Sequence, residues 1–224
     1  MTQLSSSSLS IFESCPKCFY NDRNLKLKRP EGIKSGLPIA IDKIIKEQFD
    51  AYRGKLPPSL QGDDRLNGFV LYDAPELKKM QHWKSNPLKM TDENGNTIVG
   101  AFDDLLYNPT TDQFAFLDFK SSGKERDEAF GKQYYQKQID IYTQFFIEAG
   151  RKVADFAVLL FFWPEPSENG FIQFKSKPVF LKPEPSAAVE LFRRAMLCLD
   201  AKIVPPSGED CEYCKFAFER SEKK

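Results

Sequence analysis

Two short runs carry the side chains best suited to chemistry, Gly100-Ala101-Phe102-Asp103-Asp104 and Asp118-Phe119-Lys120. Strand side chains alternate between faces, so Asp118 and Lys120 point the same way. Asp103 falls on the preceding strand, joined by a turn, which brings its carboxylate beside Asp118. Two carboxylates on adjacent strands, with a lysine two residues on, make an oxygen-rich site for Mg²⁺ or Mn²⁺. A cation held there can lower the pKa of a bound water and offset charge on a phosphoryl oxygen. The bland alternative is a strand edge with ordinary surface charges. It has to explain why Phe114 and Phe116 share the Asp118 side of the run Phe114-Ala115-Phe116-Leu117-Asp118-Phe119-Lys120. Gln138 and Tyr142 lie four apart on a long helical stretch and share a face. Asp140, on another face of that stretch, reads as exposed.

The cysteines make the second constellation. Four of the five form pairs at opposite ends of the chain, Cys15-Pro16-Lys17-Cys18 and Cys211-Glu212-Tyr213-Cys214. Each spacing sets two thiolates on one side of a turn, and two pairs supply the four sulfurs of a tetrahedral zinc site or an iron–sulfur cluster. Disulfides would be rare in the cytoplasm. Cys198, within the apolar pattern of a helix, reads as core.

One histidine among 224 residues excludes a good deal. A His-based nucleophile system would have to use His82, which sits between Gln81 and Trp83 and reads as exposed or packing, and no multi-histidine metal site is possible. Thirty-two basic side chains against 32 acidic ones argue against holding nucleic acid by bulk charge alone, though not against a local patch. Residues 17–34 form the densest basic stretch, with Arg23, Lys26, Lys28 and Arg29 against Asp22 and Glu31. It reads equally as a solvated loop or as a phosphate contact. The absence of an apolar run of ~20 residues predicts no membrane span. A polar, serine-rich start predicts a cytoplasmic protein.

These groups need elements to hold them. Leu9, Phe12 and Phe19 mark one short N-terminal helix bearing the first cysteine pair. Residues 36–52 predict an amphipathic helix with Ile41, Ile44, Ile45, Gln48, Phe49 and Tyr52 at helical spacing and Asp42 at the edge of that stripe. A short helix is predicted over 75–84, and strands over 89–92 and 96–107 around an Asn94-Gly95 turn. Further strands are predicted over 114–120, 153–163 and 171–181, and helices over 127–150 and 184–202. The order predicts an α/β domain around a mixed central sheet, with a core at about 36–200 and a four-cysteine centre built from 9–20 and 205–218.

Taken together, Gly-Ala-Phe-Asp103, Asp118-Phe-Lys120 followed by Ser-Ser-Gly, and Gln138-Ile-Asp-Ile-Tyr142 resemble the RecB-like branch of the PD-(D/E)XK nuclease superfamily. On this likeness the chain is similar to the CRISPR-associated RecB-like exonucleases and the AddB nuclease domain. In motif order the resemblance spans nearly the whole chain as a single domain, 1–224. It implies a restriction-endonuclease-like sheet flanked by helices, with the ends of the chain joined at the cysteines. It also implies a metal-dependent deoxyribonuclease of exonuclease type acting on DNA, single strands or strand ends being favoured. In that reading Asp103 and Asp118 bind Mg²⁺ or Mn²⁺, Lys120 orients or activates the attacking water, and Gln138 and Tyr142 complete the site. Asp42 stands where the family usually has a metal-binding histidine and is expected to be a third carboxylate ligand. Cys15, Cys18, Cys211 and Cys214 would hold a [4Fe–4S] cluster. Their two-and-two distribution, where those relatives have one and three, keeps structural Zn²⁺ as the alternative. The rival function is a nucleic-acid-binding or assembly module that keeps the fold without turnover.

Overall fold

The computed structural model describes residues 1–30, 32, 35–166 and 168–222. Glu31 and Lys34 of the basic stretch, and Ser167 between the strands expected over 153–163 and 171–181, lie outside the described residues. In chain order come β1 (Gln3–Leu4), α1 (Ser6–Ser14), α2 (Pro16–Asn24), α3 (Gly36–Asp50), β2 (Val70–Leu71) and α4 (Leu77–Met80). There follow β3 (Lys89–Thr91), β4 (Thr97–Val99), β5 (Asp104–Asn108), β6 (Gln113–Ser121), α5 (Glu128–Glu148) and β7 (Lys152–Val153). The chain closes with β8 (Ala157–Pro166), β9 (Ile172–Leu181), α6 (Pro185–Asp200) and α7 (Glu212–Glu222).

A larger mixed sheet runs β2-β5-β6-β8-β9, with β7 also pairing with β6. β6 is antiparallel to β5 and parallel to β8, which makes it an inner strand buried on both faces. The surface-edge explanation of its charges therefore fails. Its side chains sort by parity. Phe114 and Phe116 enter an apolar cluster with Ile139, Tyr142 and Phe146 of α5, while Ala115, Leu117 and Phe119 enter another with Ile45 and Phe49 of α3. Two helices thus cover opposite faces of the strand that carries Asp118 and Lys120. A small sheet, β1-β4-β3, lies beside the larger one. Among the described residues no helix is long and apolar enough to cross a membrane.

Several boundaries differ from the sequence expectation, each for a local reason. The single N-terminal helix is two helices, because Pro16 opens α2 and Cys15 is extended between them, ending α1 and capping α2. The strand over 96–107 is also two, β4 and β5, in different sheets. The helix over 75–84 shrinks to the single turn of α4, leaving His82 exposed. Of the α3 stripe, Ile45 and Phe49 are buried while Ile44 is 53% exposed. Cys198 is half-buried and packs against the main core. Asp140 is not exposed: it is buried and accepts hydrogen bonds from Gln136 Nε2 (2.8 Å) and the Glu184 backbone N–H (2.7 Å), tying α5 to the start of α6.

Candidate active site and four-cysteine centre

The break at residues 100–103 is what builds the first site. Those residues leave the strand ladder, so their carbonyls need other donors. Asn86 Nδ2 donates to the Gly100 carbonyl (2.8 Å), the Tyr142 hydroxyl to Ala101 and Gln81 Nε2 to Asp103 (2.6 Å). Phe102 anchors the segment against Phe116, Phe146 and Tyr142, with ring centroids 5.2, 5.8 and 5.9 Å away. Gly100 suits this close approach, since a side-chain carbon there would come within 3.2 Å of the Tyr142 ring and oblige it to shift slightly. Pairing of Asp104 with Leu117 then sets Asp103 beside Asp118, and Asp103 Oδ2 accepts from the Phe119 backbone N–H (2.9 Å).

Around this pair the chain forms a continuous polar chain of contacts. Lys120 Nζ pairs with Asp118 Oδ2 and donates to Gln138 Oε1 (3.2 Å). Gln138 Nε2 reaches Asp118 Oδ1 (3.2 Å) and the Tyr142 hydroxyl oxygen (2.8 Å). The Lys120 ammonium also lies 4.5 Å from the centre of the Tyr135 ring. On the opposite side Lys46 Nζ from α3 spans Asp42 Oδ2 (2.8 Å) and Asp103 Oδ1 (2.7 Å). Asp103, Asp118, Lys120, Gln138 and Tyr142 thus come together as the sequence suggested. Asp42 reaches them only through the Lys46 ammonium.

The electrostatics suit a cation. Burial pushes the Asp118 carboxyl up to about 7 and Asp103 adds to that push, against the pull of Lys120 and Lys46. Burial opposes the Lys120 ammonium, but Asp118 and Asp103 outweigh it and raise its pKa. Burial, with Asp118 nearby, raises the Tyr142 phenol, so it stays a donor. Asp118 Oδ2 is shielded from water and has the Lys120 ammonium as its partner. Two carboxylates side by side, each raising the cost of the other's charge, fit a hard divalent ion. The three carboxylates do not close into a ready-made cage, however. Among the described residues, the group whose ligand atoms all lie within 4.8 Å of one another is the four cysteines.

A pH dependence follows. In chelator, Asp118 keeps its proton in the folded state up to about 7 but loses it near 3.8 when unfolded. The folded state therefore binds the extra proton between those values. The stability this contributes is complete below about pH 3.8 and gone above about pH 7. Urea unfolding across that range should show a fall on the order of a few kcal/mol from this residue, flattened in Asp118→Asn.

Neither Lys46 nor Tyr135 was singled out in the sequence. Lys46 had a usable signal, its position four residues after Asp42 on one helix. Asp104 is structural: nearly fully buried, it takes both arms of the Arg53 guanidinium at 2.7 Å.

The four cysteines join the two ends of the chain. Sγ–Sγ distances are 3.7 Å for Cys15–Cys214 and 3.6 Å for both Cys18–Cys211 and Cys18–Cys214. Although burial acts the other way, backbone N–H groups of Gly208 (3.2 Å) and Cys18 (3.4 Å) bring the Cys15 thiol down to about 6. Gly208 must be glycine, because a side-chain carbon would run into the Ser14 carbonyl. Arg29 donates to Cys211 Sγ (3.6 Å) and Ser14 Oγ (3.2 Å) and lies over the Tyr213 ring. The basic stretch is thus largely committed within the fold: Arg29 serves the thiolates, Arg23 pairs with Asp22 and Ser8, and Lys26 caps the Arg23 carbonyl.

The fold and sites define a mixed α/β protein with a carboxylate–lysine cluster on its central strand and a four-thiolate centre able to hold a metal. No family model matches the chain, and no curated protein matches it.

Proposed function

We propose that the protein is a metal-dependent deoxyribonuclease of the PD-(D/E)XK type, RecB-like, with a restriction-endonuclease-like sheet and DNA as its substrate. The observation that carries this reading is the meeting of Asp103, just before β5, with Asp118 and Lys120 of β6 and Gln138 of α5. Asp103 and Asp118 would hold Mg²⁺ or Mn²⁺, which when bound makes water a better nucleophile and offsets phosphoryl charge. Lys120 presents a charged ammonium at the same point, able to donate to a phosphate oxygen or to hold the attacking water. Gln138 fixes both Asp118 and Lys120, and Tyr142 fixes Gln138, so neither charged group has to be ordered when substrate arrives. Incubating labelled single-stranded and duplex DNA with Mn²⁺ tests the reading, and Lys120→Ala should lose at least about a hundredfold in rate. A Lys120→Ala protein that cuts as fast as wild type would sink it, and DNA binding without cleavage would favour the non-catalytic module.

For the cysteines we propose one tetrahedral ion, Zn²⁺, in a structural role. Zn–S bonds of ~2.3 Å in a tetrahedron place sulfurs ~3.8 Å apart; three of the sulfur pairs here are 3.6–3.7 Å apart and all four sulfurs lie within 4.8 Å of one another. A [4Fe–4S] cluster gives each thiolate its own iron and needs a wider set of sulfurs.

A further inference from the structure

We propose that Lys46 is a built-in counter-cation of the carboxylate site, a positioning residue that a divalent ion must displace from Asp103 in order to bind. This rests on the metal-dependent reading above. The Lys46 side chain comes from α3, on the sheet face opposite α5, and reaches the site from outside the Lys120–Gln138–Tyr142 set. Its ammonium sits 2.7 Å from Asp103 Oδ1 and 2.8 Å from Asp42 Oδ2. The other Asp103 oxygen is committed to the Phe119 backbone N–H. Oδ1 is therefore the oxygen left for a metal, and it is the one that Lys46 holds.

The arrangement has a physical purpose. Asp118, buried on β6, and Asp103, partly exposed just before β5, repel each other, and Asp42 adds a third negative charge at the rim. Without a cation these charges cost stability. Lys46 is 39% exposed at its side chain, and its long stem lets the ammonium swing toward water while remaining paired with Asp42. Lys120 cannot take this part. Its side chain is 16% exposed, and it is pinned by Asp118, Gln138 and the Tyr135 ring. One lysine is thus enclosed by its partners and the other is exposed enough to yield. Lys46 would keep the empty site from flying apart and at the same time set how much divalent ion is needed to fill it.

A lysine that merely supports the fold and one that competes with metal give opposite signs. The test is a Mn²⁺ titration of zinc-replete protein, following the free-ion EPR signal, for wild type, Lys46→Met, Lys46→Arg and Asp118→Ala. Melting temperatures in chelator are read on the same samples. Lys46→Met should bind Mn²⁺ at least about tenfold tighter, the scale of one close like-charge repulsion removed, yet melt lower in chelator. Lys46→Arg should stay near wild type in both. Mn²⁺ affinity that is unchanged or weaker in Lys46→Met overturns the proposal. Should neither wild type nor Lys46→Met show Mn²⁺ binding that Asp118→Ala removes, the metal-dependent reading itself fails as well.

Discussion

Asp118→Asn should abolish metal-dependent DNA cleavage, by about 10³-fold or more, while leaving the ion-free protein as stable as wild type or more so near neutral pH. The loss of activity corresponds to ~4 kcal/mol of barrier, a fair share for a ligand that holds the charge-bearing cation. The stability half of the expectation comes from burial. Asp118 is 1% exposed on an inner strand, its burial disfavours the charged form, and Asp103 repels it. An amide of the same shape removes the repulsion and keeps most of the packing, though it forfeits the attraction of Lys120. A residue retained for the fold alone would show the reverse, with activity and stability falling together. Cleavage rates alongside urea unfolding in chelator at pH 7.5 read both quantities.

Cys18→Ser should cost the bound ion and a large part of the stability of the chain ends. Cys18 Sγ lies 3.6 Å from both Cys211 and Cys214, so its loss opens the link between α2 and α7. Structural zinc supplies apparent folding free energy on the order of 10 kcal/mol in small domains. Here the ion competes with a sizeable core, so a drop of about 10 °C in melting temperature is the expected scale. Elemental analysis should find one zinc per wild-type chain and none in the variant, and the wild-type protein should be colourless. Four irons per chain with a broad visible absorption would replace the zinc proposal with a cluster. Limited proteolysis of Cys18→Ser should cut first near residues 201–210, which the centre ties down through Gly208 and Cys211.

Much of this was legible in the residues themselves. Alternation along residues 114–120 placed Asp118 and Lys120 on the aromatic face, and the four-residue spacing of Gln138 and Tyr142 put those two on one helix face; only the family resemblance set that face against the carboxylates. The two cysteine pairs declared their meeting through spacing alone. What was hidden depended on tertiary neighbours. Residues 100–103 looked like strand because nothing local marks the carbonyls that Asn86, Gln81 and Tyr142 satisfy. Asp140 looked exposed because its partner, the Glu184 N–H, lies 44 residues away. Arg29 read equally as solvated or as a phosphate contact because its thiolate partner is 182 residues away. Lys46 was overlooked because lysines on helices usually point to water, and its second carboxylate comes from another element.

The most direct test is a cleavage assay on labelled single-stranded and duplex DNA, with zinc-replete protein in Mg²⁺ or Mn²⁺ against the same protein in excess chelator, and Asp118→Ala run in parallel. The expected result is shortening of at least one DNA form with added ion, restored when ion is returned after chelation, and absent in Asp118→Ala. Cleavage of neither form with either ion, or cleavage that survives both chelator and loss of Asp118, would contradict it.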